Sequence, residues 1–148
     1  MIDRISDGDE LLALLLRGST PAEPGVTFFT PPEFSQQLGV IRQPSGHVIE
    51  PHLHNPILRE VKVTQEVLIL RKGRLRVDFY RRDRSYVESR ILEAGDVILL
   101  CSGGHGFEVL EEVELIEVKQ GPYIADRDKV RFSPAEEELL TLRSPADA

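Results

Sequence analysis

Short runs that alternate apolar and polar residues, separated by glycine, proline and asparagine, dominate the chain from residue 25 onward. Alternation with a period of two is typical of strands. The predicted strands are Val26–Phe29, Gly39–Arg42, His47–His54, Glu66–Arg71, Arg74–Tyr80, Val87–Leu92, Val97–Leu100, Phe107–Leu110 and Val113–Lys119. Tight turns are predicted at Lys72-Gly73 and in "EAGD". Many short strands at close intervals favour a sandwich or barrel over a sheet that alternates with helices.

The beginning of the chain carries a helix signal instead. Ser6 or Asp7 can cap a helix that runs through "ELLALLLR", and Gly18 suits the left-handed turn that follows a helix. A proline-rich passage, "STPAEPG", then connects to the first predicted strand. We therefore expect a short N-terminal helix on the outside of the β structure.

A second helix signal lies near the other end. Ser133 is a candidate N-cap, Pro134 fits the first helical position, and Glu136 completes a capping box. The sequence thus predicts a single all-β domain with short flanking helices. Its parts are an N-terminal helix and linker (residues 1–24), a β-barrel (residues 25–132), and a C-terminal helix and tail (residues 133–148).

Composition and charge narrow the range of partners. The chain has 148 residues, a net charge of −7 and one cysteine. An acidic chain lacks the basic face that nucleic-acid binding requires, and its longest early apolar run, "LLALLL", is far too short to span a bilayer. That run follows "DGDE" and not a basic segment, so it does not resemble a signal peptide. We expect a cytoplasmic protein with no nucleic-acid or membrane partner.

Two of the four histidines lie one residue apart, in "PHLHN". On a strand, His52 and His54 project from one face and Leu53 from the other. Imidazole together with carboxylate suits first-row transition metals. The pair alone fits surface or hydrogen-bonding roles equally well. His47 has the opposite strand parity and is interpreted as a structural histidine.

Further residues at regular distances extend the pattern around these histidines. A first group comprises Gly46, His52, His54, Glu66 and Gly73, and a second comprises Gly95, Gly103 and His105. In order and type they resemble the two motifs of the cupin superfamily, over close to half of the chain. The resemblance implies a double-stranded β-helix barrel that binds one divalent transition metal (Fe, Mn, Ni, Co or Zn) through His52, His54, Glu66 and His105. It implies no organic cofactor.

The chain departs from the cupin pattern at several positions. Eleven residues separate His54 from Glu66, a longer gap than the family usually has, so Glu60 is a rival acidic ligand. Glu66 is preferred because it keeps the family's spacing to Gly73. Cys101 replaces the motif's proline; it could approach the metal, but free cysteine is more often a small buried residue.

The resemblance also implies a function and an oligomeric state. The chain looks like small bacterial cupins described as mannose-6-phosphate-isomerase-like or linked to polysaccharide synthesis. That implies a homodimeric metalloenzyme, an isomerase, epimerase or dioxygenase, acting on a small oxygenated substrate such as a sugar or sugar nucleotide. Two alternatives stay open: a metal-free sugar-nucleotide isomerase that uses histidine as acid and base, and a non-catalytic binding or sensing module.

A local reversal of charge suggests a substrate-binding element. Arg74 and Arg76 share one strand face inside a basic stretch of this acidic chain. If that face lined the barrel, the two guanidinium groups could hold a carboxylate or a phosphate. The simpler alternative is a solvated outer face, because Leu75, Val77 and Phe79 then form the core side.

Overall fold

The computed structural model describes residues 2–144, and these form eight strands and two short 3₁₀ turns. The strands are β1 (Ile2–Asp7), β2 (Glu10–Leu16), β3 (Gly25–Phe28), β4 (Gly39–Arg42), β5 (Glu66–Tyr80), β6 (Tyr86–Glu93), β7 (Val97–Leu100) and β8 (Gly104–Lys119). The 3₁₀ turns are Ala125–Asp128 and Glu137–Leu139. The prediction of an all-β protein is confirmed.

One antiparallel sheet contains six of these strands, and β5 organises it. One edge of β5 pairs with β7 over its first residues and with β6 over its second half, so β6 and β7 lie end to end. The other edge of β5 pairs with β8 along its whole length. Beyond β7 the sheet continues through β2 to β1, while β3 and β4 form a separate two-stranded sheet.

The sheet is strongly curled and forms a half-barrel. Before Gly73 the core-facing residues of β5 are even-numbered (Leu68, Leu70), and after it they are odd-numbered (Leu75, Val77). The pairing with β8 shifts register three times between Leu70 and Leu75, which explains the change of parity. Irregular pairing increases local bending, so the two halves of the β5–β8 ribbon fold toward each other and enclose the core.

Two hydrophobic clusters lie on opposite faces of β2. Inside the half-barrel, Leu12 and Leu15 pack with Leu75, Phe79 and their neighbours. On the other face, Leu14 packs with Leu99 and Cys101, and the loop between β3 and β4 covers this cluster. Strand β2 is therefore buried from both sides.

That double burial explains why the predicted N-terminal helix is wrong. The "LLALLL" run forms β2, which pairs with β1 through a two-residue turn at Gly8-Asp9 and with β7 on its other edge. A strand that is buried on both faces needs no alternation of apolar and polar residues. Its continuous apolar pattern cannot be distinguished by periodicity from that of a buried helix.

The predicted C-terminal helix is also wrong over the described residues; residues 145–148 lie outside them. Only Glu137–Leu139 turns, and the chain then runs extended beside β6. The Ser89 amide donates to the Thr141 carbonyl, and the Arg143 amide donates to the Ser89 carbonyl. These sheet-like hydrogen bonds replace the helical ones that the capping box at Ser133 favoured.

Three predicted details of the strands are corrected by the structure. Lys72-Gly73 is not a hairpin turn: β5 passes through it as one bent strand, and Phe107–Leu110 and Val113–Lys119 are likewise parts of one strand, β8. Residues 43–65, which include the predicted strand His47–His54, contain no helix or strand. The remaining predicted strands match observed ones to within a residue or two.

Candidate functional site

The two ends of the β5–β8 ribbon meet at a carboxylate–imidazole contact. Glu66 begins β5, whereas His105 pairs with Phe79 near the other end of that strand. A straight strand would separate Glu66 from Phe79 by roughly 43 Å, yet His105 Nε2 lies 3.2 Å from Glu66 Oε2. The curl of the sheet is therefore what brings Glu66 and His105 together, on the inner face of the half-barrel.

Glu66 lies in a cationic environment. Its Oε1 lies 3.9 Å from Lys119 Nζ, and its side chain is mostly buried. The hydrogen bond with His105 lowers the pKa of the Glu66 carboxyl below its ordinary value; burial opposes this, and the charges of His105, Lys119 and Lys129 add to the lowering. Glu66 is thus held as a carboxylate, the form that binds a cation or accepts a proton.

A cleft of about 950 Å³ opens beside this pair. It lies between the start of β8, the turn after Tyr80 and residues 128–134. Its cationic lining residues are Lys62, Arg81, Arg82, Arg84, Lys129 and Arg131, against the carboxylates Glu66, Glu117 and Asp128. In a chain of net charge −7, this local excess of positive charge favours an anionic ligand.

The structure places His52 and His54 apart from this cleft. Both are exposed, and their rings meet edge to face with centroids 5.3 Å apart. His52 Nδ1 lies 2.9 Å from the Glu50 carbonyl oxygen, a contact that leaves Nε2 available as a ligand. Within residues 2–144, no three His, Cys, Asp or Glu side chains are grouped as metal ligands. One chain therefore presents two separate pairs of candidate ligands.

The rival and accessory residues of the sequence analysis lie elsewhere. Glu60 is exposed and lies near Lys62, and His47 is exposed in the same extended segment. Cys101 is buried against Leu14 and Leu99, and this burial raises the pKa of its thiol to about 12. The interpretation of Cys101 as a small buried residue agrees with this environment.

Arg74 and Arg76 are on the opposite face of β5 from Leu75 and Val77, outside the cleft. Arg74 pairs with Glu93 at an exposed position. Arg76 is largely buried, donates two hydrogen bonds to Asp78, and contacts further carboxylates on β8 and in the C-terminal segment. Both guanidinium groups are thus engaged within the chain: Arg74 at the exposed surface with Glu93, and Arg76 between the sheet and the C-terminal segment.

Most of the residues that line the cleft were not predicted from the sequence. Lys129 and Arg131 come from "RDKVRF", which follows the last strand, and Phe132 packs its ring against Tyr80 with centroids 5.1 Å apart. Two basic residues close to an aromatic one, in an acidic chain, are a signal that could have pointed to this segment. Their position over the cleft depends on the path of the chain after β8, which no local pattern encodes.

Comparison with protein-family models, with curated proteins and with solved structures finds no match to this chain. The cupin resemblance therefore rests on the motif residues named above. Within residues 2–144 no helix has the length and hydrophobicity needed to cross a membrane. The fold defines the chain as a curled antiparallel β protein with a carboxylate–imidazole pair at the mouth of a basic cleft.

Proposed function

We propose that this protein is a cupin-type metalloprotein that acts on a small, anionic, oxygenated molecule, such as a sugar phosphate or sugar nucleotide. The observation that carries the proposal is the Glu66–His105 contact, because two motif residues from distant parts of the chain converge at one cleft. Three imidazoles and one carboxylate match the ligand preference of Fe, Mn, Ni, Co or Zn in the divalent state. In this proposal Glu66, His105, His52 and His54 are the ligands.

Each part of the cleft has a role in this proposal. A divalent metal, when bound, supplies a Lewis acid for a substrate carbonyl or hydroxyl, or a centre for oxygen chemistry if it is iron. Glu66 contributes the negative charge that holds the cation. Lys129 and Arg84 attract and orient the anionic part of the substrate. Arg81 is paired with Asp7 and Arg82 lies near Glu10, so these two add mainly to the local positive potential.

The proposal is tested by measuring metal content in protein purified without an affinity tag or chelator. We expect about one metal per chain in the wild type, and a loss of most of it in His52→Ala/His54→Ala and in Glu66→Gln. His47→Ala is the matched control, because this exposed histidine comes from the same segment and should leave the metal content unchanged. A wild type without metal, or a double variant with full metal, would contradict the proposal.

A second candidate is an isomerase that needs no metal, and one observation favours it. The Glu66–His105 pair is assembled within one chain while the other two histidines lie apart from it, and a carboxylate that orients an imidazole is a general-base arrangement. Activity on a sugar nucleotide that survives chelation and is lost in His105→Asn, while His52→Ala/His54→Ala retains it, would support this candidate over the metalloprotein.

A further inference from the structure

Residues 43–64 form an extended segment that the rest of residues 2–144 does not cover. Every one of residues 41–64 is exposed, and residues 43–64 contain no helix or strand. The segment is nevertheless rich in apolar side chains: Leu53 is 95% exposed and Leu58 is 101% exposed, and Val48, Ile49 and Ile57 are also exposed. Ordering a segment costs conformational entropy that only burial can offset, and an exposed apolar stretch of this length indicates an interaction surface.

The half-barrel offers a matching surface along β8. Within residues 2–144, β8 pairs only with β5, so the backbone groups on its outer edge are available for another strand. Phe107 and Val109 pair with the core positions Val77 and Leu75, which places them on the inner face, yet they are 45% and 57% exposed. The half-barrel is thus open along β8, where one added strand would extend the sheet and cover both side chains.

The charge of β8 indicates what kind of strand can pair with its outer edge. Five glutamates lie on β8: Glu108, Glu111, Glu112, Glu114 and Glu117. Two β8 edges would therefore repel each other if they paired directly. Residues 43–64 carry two acidic and two basic residues together with three histidines, so this segment can pair with the acidic edge without that repulsion.

We propose that residues 43–64 of a second copy of this chain dock along the β8 edge and bring the partner's His52 and the partner's His54 to the Glu66–His105 pair. By two-fold symmetry each copy gives its segment and receives the other, so both half-barrels are completed. The length of this segment falls within the roughly 20–30 residues per side of a stable interface. The shared metal site rests on the proposed function, whereas the docking does not.

Oligomeric state tests the docking without any metal. Sedimentation equilibrium should give twice the 16.7 kDa chain mass for the wild type and the single-chain mass for Leu53→Asp/Leu58→Asp. Tyr123→Asp is the matched control: Tyr123 is 85% exposed but lies outside both surfaces, so this variant should stay dimeric. A monomeric wild type, or a dimer that survives the double substitution, overturns the inference.

Subunit mixing tests the shared site. His52→Ala/His54→Ala and Glu66→Gln/His105→Ala should each bind almost no metal, whereas the two variants refolded together should recover about one quarter of the wild-type metal per chain. About half of the randomly paired dimers are mixed, and each mixed dimer has one intact site of two. Far-UV circular dichroism confirms that both variants fold.

The outcomes separate this inference from the proposed function. If the wild type binds metal and the mixture binds no more than its two components, the site lies within one chain and the inference is overturned while the metalloprotein stands. If a dimeric wild type binds no metal, the proposed function and the shared site both fail. Whether residues 43–64 dock on the partner is then decided only by whether Leu53→Asp/Leu58→Asp has the mass of a single chain.

Discussion

Gly73→Ala tests whether the bend of β5 creates the candidate site. Gly73 has φ +84°, and a Cβ atom added there would overlap the carbonyl oxygen and carbon of Glu112 on β8. Gly95 is the matched control: its φ is +97°, but its added Cβ would only make ordinary van der Waals contact, at 3.6 Å from Gly18 Cα. The two substitutions therefore share the cost of a left-handed backbone, and only Gly73→Ala also collides with the neighbouring strand.

The expected losses of unfolding free energy follow from the left-handed backbone and from the steric overlap. A left-handed non-glycine residue costs about 1–2 kcal/mol, which is the loss of unfolding free energy expected for Gly95→Ala. Overpacking against backbone adds about 1–3 kcal/mol, so Gly73→Ala should lose about 2–5 kcal/mol. Because about 1 kcal/mol shifts Tm by about 2–4 °C in a chain of this size, the two variants should differ measurably.

Urea unfolding followed by far-UV circular dichroism measures both losses, since the chain has no tryptophan to report by fluorescence. All proteins are compared at one concentration, because association would contribute to the apparent stability. Gly73→Ala should also weaken the proposed metal binding more than Gly95→Ala does, because the bend holds Glu66 near His105. Equal losses of stability in the two variants would refute the argument that β5 bends because Gly73 packs directly against the backbone of β8.

Two further predictions concern buried groups. Arg17→Met should lower the free energy of unfolding by about 3–5 kcal/mol, because Arg17 pairs with the buried carboxylates of Asp3 and Asp96. Arg74→Met, which breaks an exposed pair, should lose less than about 1 kcal/mol in the same urea titration. Similar losses in the two variants would contradict this ranking. Cys101 should not react with a thiol reagent at pH 8 in the native protein, because burial raises the pKa of its thiol to about 12. In urea one thiol per chain should react. Rapid reaction of the native protein would show that the cluster of Leu14, Leu99 and Cys101 opens.

The sequence predicted strands best where a short run lies between clear turn signals. Val87–Leu92 and Val97–Leu100 are flanked in this way, and they match β6 and β7 closely. It failed at Leu11–Leu16, where burial on both faces removes the alternation, and at Ser133, where hydrogen bonds to β6 outweigh a local capping signal. Both failures have the same cause: tertiary contacts override a weak local preference.

Within the candidate site, the cupin resemblance named Glu66 and His105 as ligands of one metal. That role stays a prediction, and the structure places the two side chains in contact. The two residues meet because β5 bends at Gly73, the residue that the sequence analysis interpreted as a hairpin turn. A glycine between two apolar runs predicts a change of direction. It does not tell whether the chain reverses, as in a hairpin, or the whole ribbon bends with its neighbour attached.

The placement of His52 and His54 exposes a more general limit of strand prediction. Parity arguments put both rings on one face, and the extended segment keeps them close, with centroids 5.3 Å apart. A strand, however, is stable only when another strand accepts its hydrogen bonds, and no sequence pattern states which strand that is. Among residues 2–144, both a segment and an edge of β8 lack a pairing strand, and each carries exposed apolar residues. Since the segment is free of the net negative charge that β8 carries, it suits the β8 edge better than a second β8 edge does, and pairing the two would also unite the two halves of the candidate metal site.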